Sequence, residues 1–370
     1  MTATLFDPVQ LGDILLANRI VMAPMTRSRA GPGDVPTELN VEYYRQRASA
    51  GLIVSEGVQP SANGKGYCRT PGLHTEAQVA GWRAVNDAVH AEGGRIVAQI
   101  MHCGRVGSHL NKDPGAETVA PSAVRAKGQI YTDAAGMVDL DEPRALRLDE
   151  IPGVIGEYRH ATQCALQAGF DGVELHCTSG YLPAQFLSTG TNLRTDAYGG
   201  SVQNRVRFVL EVLEAMTAVA GSGRVGMRIC PGNPFNDLHD ENPHETFATL
   251  LDAVSPMKLA YLHVIRSPRR SLDAFALARE HFRGALIVND GFDRELDAAH
   301  DIVLGELRQV EKALRLRQHI LRQFCKAQID DFHLIAALLV EPDRRAYQRG
   351  DPVEFDLVAW RVGGFALVVL

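Results

Sequence analysis

Short, β-rich apolar runs alternate along the chain with longer segments whose apolar residues recur at i, i+3, i+4 and i+7. The short runs fall at 19–24, 51–57, 95–101, 172–176, 224–229, 260–265 and 285–289, and helical periodicity marks 79–91, 151–168, 202–219 and 244–254. Gly93 and Gly169 stand just ahead of the next run, the usual end of a helix. Strict alternation predicts parallel strands joined by right-handed crossovers. A doubly wound nucleotide-binding sheet would show GxGxxG after its first strand, and nothing of that kind follows 19–24. Polar residues recur instead at the ends of several strands: Thr26, Glu56, Gln99, His176, Arg228 and Asn289. That distribution predicts an α/β chain folded as a (β/α)8 TIM barrel, whose site gathers residues from many strand ends on one face. The segment 102–143, rich in Gly, Pro, Ala and Asp, predicts an elaborated loop with a small hairpin over the mouth.

The last quarter departs from the alternation. The expected division is a barrel of strands 1–7 over 1–295 and a divergent segment, 296–370, that supplies or replaces strand 8. Residues 305–324 read as a charged amphipathic helix, and 332–340 as an eighth strand or a buried helix, which periodicity does not separate. The closing GGFALVVL is an aggregation-prone edge if left unpaired.

Composition narrows the partners. A net charge of −6 gives no basic surface overall, which argues against nucleic acid. The six cysteines lie far apart with no CxxC pair, so neither a disulfide framework nor a metal site is expected. The N-terminus lacks the basic start and apolar core of a signal peptide, and no stretch reaches the ~20 apolar residues that span a bilayer. The expectation is a cytoplasmic protein acting on small molecules, away from membranes.

The chemistry centres on His176-Cys177-Thr178-Ser179-Gly180-Tyr181-Leu182, followed by Asn192-Leu193-Arg194-Thr195-Asp196-Ala197-Tyr198-Gly199-Gly200-Ser201. A lone His at a strand end is ordinarily structural; five residues before a Tyr, at a barrel strand's C-terminal end, it reads as functional. With ANRIVMAPMTRSRA, the YYRQRASAGLIVSEG segment, AQIMHCGR and RVGMRI, these motifs closely resemble the old yellow enzyme family over about residues 1–295. Met25 stands where a related subgroup carries a redox-tuning Cys, so the chain resembles the classical subgroup.

The resemblance implies FMN as cofactor, NADPH (or NADH) as reductant in a ping-pong cycle, and hydride transfer to activated C=C bonds, with nitro compounds and nitrate esters as further substrates. It casts Tyr181 as proton donor and His176 as the donor that polarises the substrate carbonyl. Ser179 stands where the family carries Asn or His as second donor, and its shorter hydroxyl weakens that role. Tyr67, Met101 and His102 match pocket-lining positions, and Arg144 matches one near the nicotinamide. Ala23, Pro24 and Thr26 are implied along the flavin ring, with Thr26 donating to its O4 edge. Gly57 is implied at a close approach to the ring, Gln99 at the pyrimidine edge and Arg228 near N1 and O2. The family also allows a homodimer.

One family feature is missing. No Gly-Arg-Pro turn follows Asp293, although that turn supplies the flavin phosphate cradle in the family. Either new elements close the barrel and hold the phosphate, or a frame disruption replaced the tail. The rival functional reading is therefore a barrel with impaired or absent FMN binding. A barrel lyase or aldolase is disfavoured because no strand-end Lys suited to a Schiff base occurs.

Overall fold

The computed structural model describes residues 4–267, 272–289 and the backbone of 365–369. A hairpin of β1 (Val9–Leu11) and β2 (Ile14–Leu16) precedes β3 (Ile20–Met22), α1 (Glu38–Arg45), β4 (Leu52–Val58), α2 (Glu76–Ala91) and β5 (Ile96–Ile100). The predicted elaborated loop follows. It holds β6 (Val119–Ala120), β7 (Gln129–Thr132), β8 (Gly136–Asp139) and β9 (Arg144–Ala145), and β7 and β8 form the expected hairpin. Then come α3 (Ile151–Gln167), β10 (Gly172–His176), α4 (Leu182–Leu187), α5 (Val202–Ala220), β11 (Val225–Ile229), α6 (Pro243–Val254), β12 (Tyr261–Ile265), α7 (Ala274–His281) and β13 (Leu286–Asn289). The final described strand is β14 (Phe365–Val369).

The strands close into a barrel in the order β3-β4-β5-β10-β11-β12-β13-β14. Neighbours from β3 to β13 pair in parallel, as the alternation predicts. The eighth strand or buried helix expected at 332–340 and the helix expected at 305–324 lie outside the described residues. The eighth position is filled by Phe365–Val369, from the segment expected to supply or replace strand 8. It also runs antiparallel to both neighbours, with Leu286 opposite Val369 and Val21 opposite Ala366. Phe365–Val369 is thereby paired on both sides, which removes the edge that an unpaired strand would expose. The described barrel residues, from 6 to 289 together with 365–369, belong to one compact unit.

Two apolar layers hold the fold. Outward-facing residues such as Ile53, Ile96, Leu175, Met227 and Leu262 pack against the helices, on Trp82, Tyr158, Phe208 and Leu250. Inward-facing Val21, Leu52, Val54, Val97 and Ile287 pack with Val9, Leu11, Ile14 and Leu16, so the N-terminal hairpin caps one end of the barrel. Sequence periodicity did not reveal that hairpin, because three-residue strands are too short to show a period. Local signals start the helices: Thr75 and Gln78 form a reciprocal capping box on α2, and Ser201 accepts from Asn204 N–H at the start of α5. Among the described residues no helix is long and apolar enough to cross a membrane.

Candidate active site

Strand register brings the expected residues onto one arc. Gly57 lies opposite Gln99 across β4 and β5, Gln99 opposite Glu174 across β5 and β10, and His176 opposite Arg228 across β10 and β11. Ala23, Pro24 and Thr26 follow β3, whose neighbour is β4. An irregularity in register between Val54 and Gly57 turns this part of β4, a common device beside functional sites.

The loop after β10 carries the second cluster. Tyr181 is the N-cap of α4, nearly buried, with its backbone N–H on Thr178 O at 3.2 Å. The His176 and Tyr181 rings meet edge-on with centroids 4.9 Å apart. The Tyr181 hydroxyl lies 3.0 Å from that of Tyr67, and either can donate. Between them the chain turns through two left-handed residues, Ser179 (φ 57°) and Gly180 (φ 76°). A Cβ on Gly180 would stand 2.8 Å from Asn236 Cβ and 2.9 Å from Phe235 O, so glycine is required by both conformation and space. Asn236 donates to the Ser179 carbonyl at 2.7 Å, which ties the loop after β11 to this turn. The Ser179 side chain is half-buried.

Protonation states follow from burial. His176 is held well below its ordinary value, first by desolvation and then by the Arg228 charge, so its imidazole is neutral. Burial, with Tyr67 and Cys103 nearby, raises Tyr181 well above its ordinary range, and burial raises Tyr67 to about 12. Both phenols stay protonated at neutral pH. Arg228 is buried and donates to Asn289 Oδ1 at 2.9 Å.

Several of the expected residues also make contacts within the protein. A Cβ on Gly57 would meet the Met101 sulfur at 2.5 Å, so the close approach seen within the protein is to Met101. Arg144 is bound to Glu117 at 2.7 Å and Glu150 at 2.9 Å, a surface ion triad that commits its guanidinium. His102 is fully buried and accepts from Gly104 N–H at its Nδ1, 3.0 Å away. Thr26 is exposed, beyond the end of β3.

Sequence reasoning passed over a buried polar layer beneath the arc. Gln99 Nε2 donates to Glu174 Oε1 at 2.7 Å, and His263 Nδ1 lies 3.0 Å from Glu174 Oε2. The signal was present in GVELH, where period-2 alternation puts Glu174 on the face of His176. Glu56, singled out only as a strand-end polar residue, accepts from Arg27 N–H, Asn40 and Tyr44. Burial raises its carboxyl to about 7 against those bonds.

Two buried nitrogens on this arc, His176 Nδ1 and Arg228 Nε, have no hydrogen-bond partner among the described residues. Buried polar atoms are rarely left so. An unpaired nitrogen on a neutral imidazole and another on a buried guanidinium fit a carbonyl substrate and the acceptor-rich edge of an isoalloxazine. The ring half of a flavin therefore suits the residues present.

Comparison with known proteins agrees. The NADH:flavin oxidoreductase / NADH oxidase family matches residues 4–307. A probable flavin mononucleotide-dependent alkene reductase from Leishmania infantum is 40% identical over 309 residues, covering 81% of this chain and 84% of its own. Morphinone reductase in complex with tetrahydroNAD is 45% identical with a TM-score of 0.75, over 79% of this chain and 82% of that one. An old yellow enzyme homologue from Zymomonas mobilis is 38% identical with a TM-score of 0.76, over 80% of this chain and 84% of that one. The chain belongs to the NADH:flavin oxidoreductase family of old yellow enzymes.

Proposed function

We propose that this protein is an FMN-dependent ene-reductase that takes reducing equivalents from NADPH, or NADH, and reduces the activated C=C bond of α,β-unsaturated carbonyl compounds. Nitro compounds and nitrate esters are further substrates of the same chemistry. The observation that carries the reading is the neutral His176 edge-on to the protonated Tyr181 at the mouth of the barrel. When bound, FMN supplies the two-electron carrier between nicotinamide and alkene.

His176 donates to the substrate oxygen, where negative charge gathers during reduction, without burying a second cation beside Arg228. Ser179 would serve as the hydroxyl donor in the second position, a role its shorter reach weakens. Tyr181 delivers its phenolic proton to the α-carbon, and Tyr67 holds the Tyr181 oxygen by the 3.0 Å hydrogen bond. Ala23, Pro24, Thr26 and Gly57 would line the flavin ring, Gln99 would meet its pyrimidine edge and Arg228 the N1–O2 side. Arg228 favours the anionic reduced ring at that side.

A second reading rests on the absent Gly-Arg-Pro turn: the same barrel with weak or no FMN binding. The deciding experiment is the visible absorbance of the purified chain with and without added FMN, followed by anaerobic reduction with NADPH and reoxidation by cyclohexenone. Stoichiometric flavin that is reduced and then reoxidised supports the ene-reductase. Failure to take up excess FMN would establish the second reading.

A further inference from the structure

Glu174 is a buried carboxylate directly beneath the strand-end arc, and no step proposed above uses it. It is fully buried, two residues before His176 on β10. Both its oxygens are engaged, Oε1 by Gln99 Nε2 at 2.7 Å and Oε2 by His263 Nδ1 at 3.0 Å. Parallel pairing surrounds it: Gln99 is its partner on β5, and Arg228, opposite His176, is in turn opposite His263.

Two physical consequences follow. An ionised carboxylate only accepts hydrogen bonds, so it takes the amino end of the Gln99 amide and leaves the carbonyl oxygen and one N–H for whatever lies above. A buried ion without a counter-charge is costly, and Arg228 is the buried cation on the same arc. Burial alone would raise the Glu174 carboxyl, yet His263, Arg228 and Gln99 together hold it below its ordinary range. Desolvation keeps His263 below its own. The layer is thus an anion, a neutral imidazole and one guanidinium, with charges that cancel.

We propose that Glu174 is a positioning residue for the flavin's pyrimidine edge: it sets which end of the Gln99 amide faces the ring and offsets the charge of Arg228. The inference rests on the ene-reductase reading and deepens it. Arg228 by itself would favour reduced flavin; Glu174 moderates that preference, so that electrons taken from nicotinamide are still released to the alkene.

The test compares the full chain, reconstituted with FMN, with E174Q and E174D by dye-equilibrated reduction and by flavin-fluorescence titration of affinity. E174Q removes the charge and gives Gln99 a neighbour that both donates and accepts. It is expected to favour reduced flavin about tenfold, about 30 mV for a two-electron couple. Reduction by NADPH should then be faster and reoxidation by cyclohexenone slower. E174D keeps the charge and shortens the reach, so it should weaken FMN affinity several-fold with the potential near that of the wild type. This split separates the proposal from a merely structural role, which would loosen flavin in both variants and move neither potential. If E174Q fails to fold, unchanged FMN affinity in E174D would still overturn the proposal. Normal flavin uptake with an unshifted E174Q potential would overturn this inference alone, whereas a wild-type chain that binds no FMN would overturn the functional reading and this one with it.

Discussion

The imidazole of His176 and the phenol of Tyr181 stand edge-on, with centroids 4.9 Å apart and planes at 69°. The strand end fixes the first, and the tight turn through Ser179 and Gly180 brings back the second. One ring is thus a neutral imidazole and the other a protonated phenol, side by side.

Y181F should separate the two half-reactions. It removes the acid but leaves the flavin contacts intact, so reduction by NADPH should be unchanged while reoxidation by an enone falls about 10²–10⁴-fold. Losing the hydroxyl pair with Tyr67 should cost only about 1 kcal/mol of stability. Stopped-flow measurement of each half-reaction checks the first point, and denaturant melts the second.

His176 should not titrate across the working range. Its folded-state value lies well below the ordinary one, so the imidazole is neutral at neutral pH. The pH profile of kcat/KM for the enone should therefore show no inflection near about 6.5 that disappears in H176N. An inflection lost in that variant would mean that His176 acts as a cation.

Glu56 should make stability depend on pH. Its carboxyl is raised from an ordinary 4.5 to about 7, so the native state holds this proton more tightly than the unfolded chain does. The resulting stabilisation is fully present below the unfolded value and is lost as pH rises through the folded one, a loss on the order of 3 kcal/mol. The difference in melting temperature between wild type and E56Q, measured from pH 4.5 to 8, should shift in favour of E56Q as pH rises.

G180A should disturb the turn between His176 and Tyr181. The position has φ 76°, and the added methyl would meet Asn236 Cβ at 2.8 Å. We expect a stability loss of about 1–3 kcal/mol and a slower reoxidation step, because Tyr181 is the next residue. Unchanged thermal melting and unchanged kinetics would show that the loop yields freely.

Deleting 363–370 should leave β3 and β13 with open edges, since β14 pairs with both. Exposed parallel edges invite association. Size-exclusion chromatography should show aggregate in place of a discrete species. A well-behaved monomer with unchanged melting would refute the closing role of this strand.

The alternation of short apolar runs and helical periodicity was enough to identify the barrel, because period and element length are local properties of the chain. The motif around His176 and Tyr181 was equally legible, since its residues sit within six positions on one strand end and one turn. Longer-range relations were not. Glu174 and His263 are 89 residues apart, and only barrel closure puts their side chains within hydrogen-bond reach. The pairing of Tyr67 with Tyr181 spans 114 residues and depends on two loops meeting above the strands. The same holds for β14: FALVV by itself states only that a strand is favoured. Its antiparallel seat between β13 and β3 was decided by the gap that seven parallel strands leave, where two rows of backbone groups require a partner.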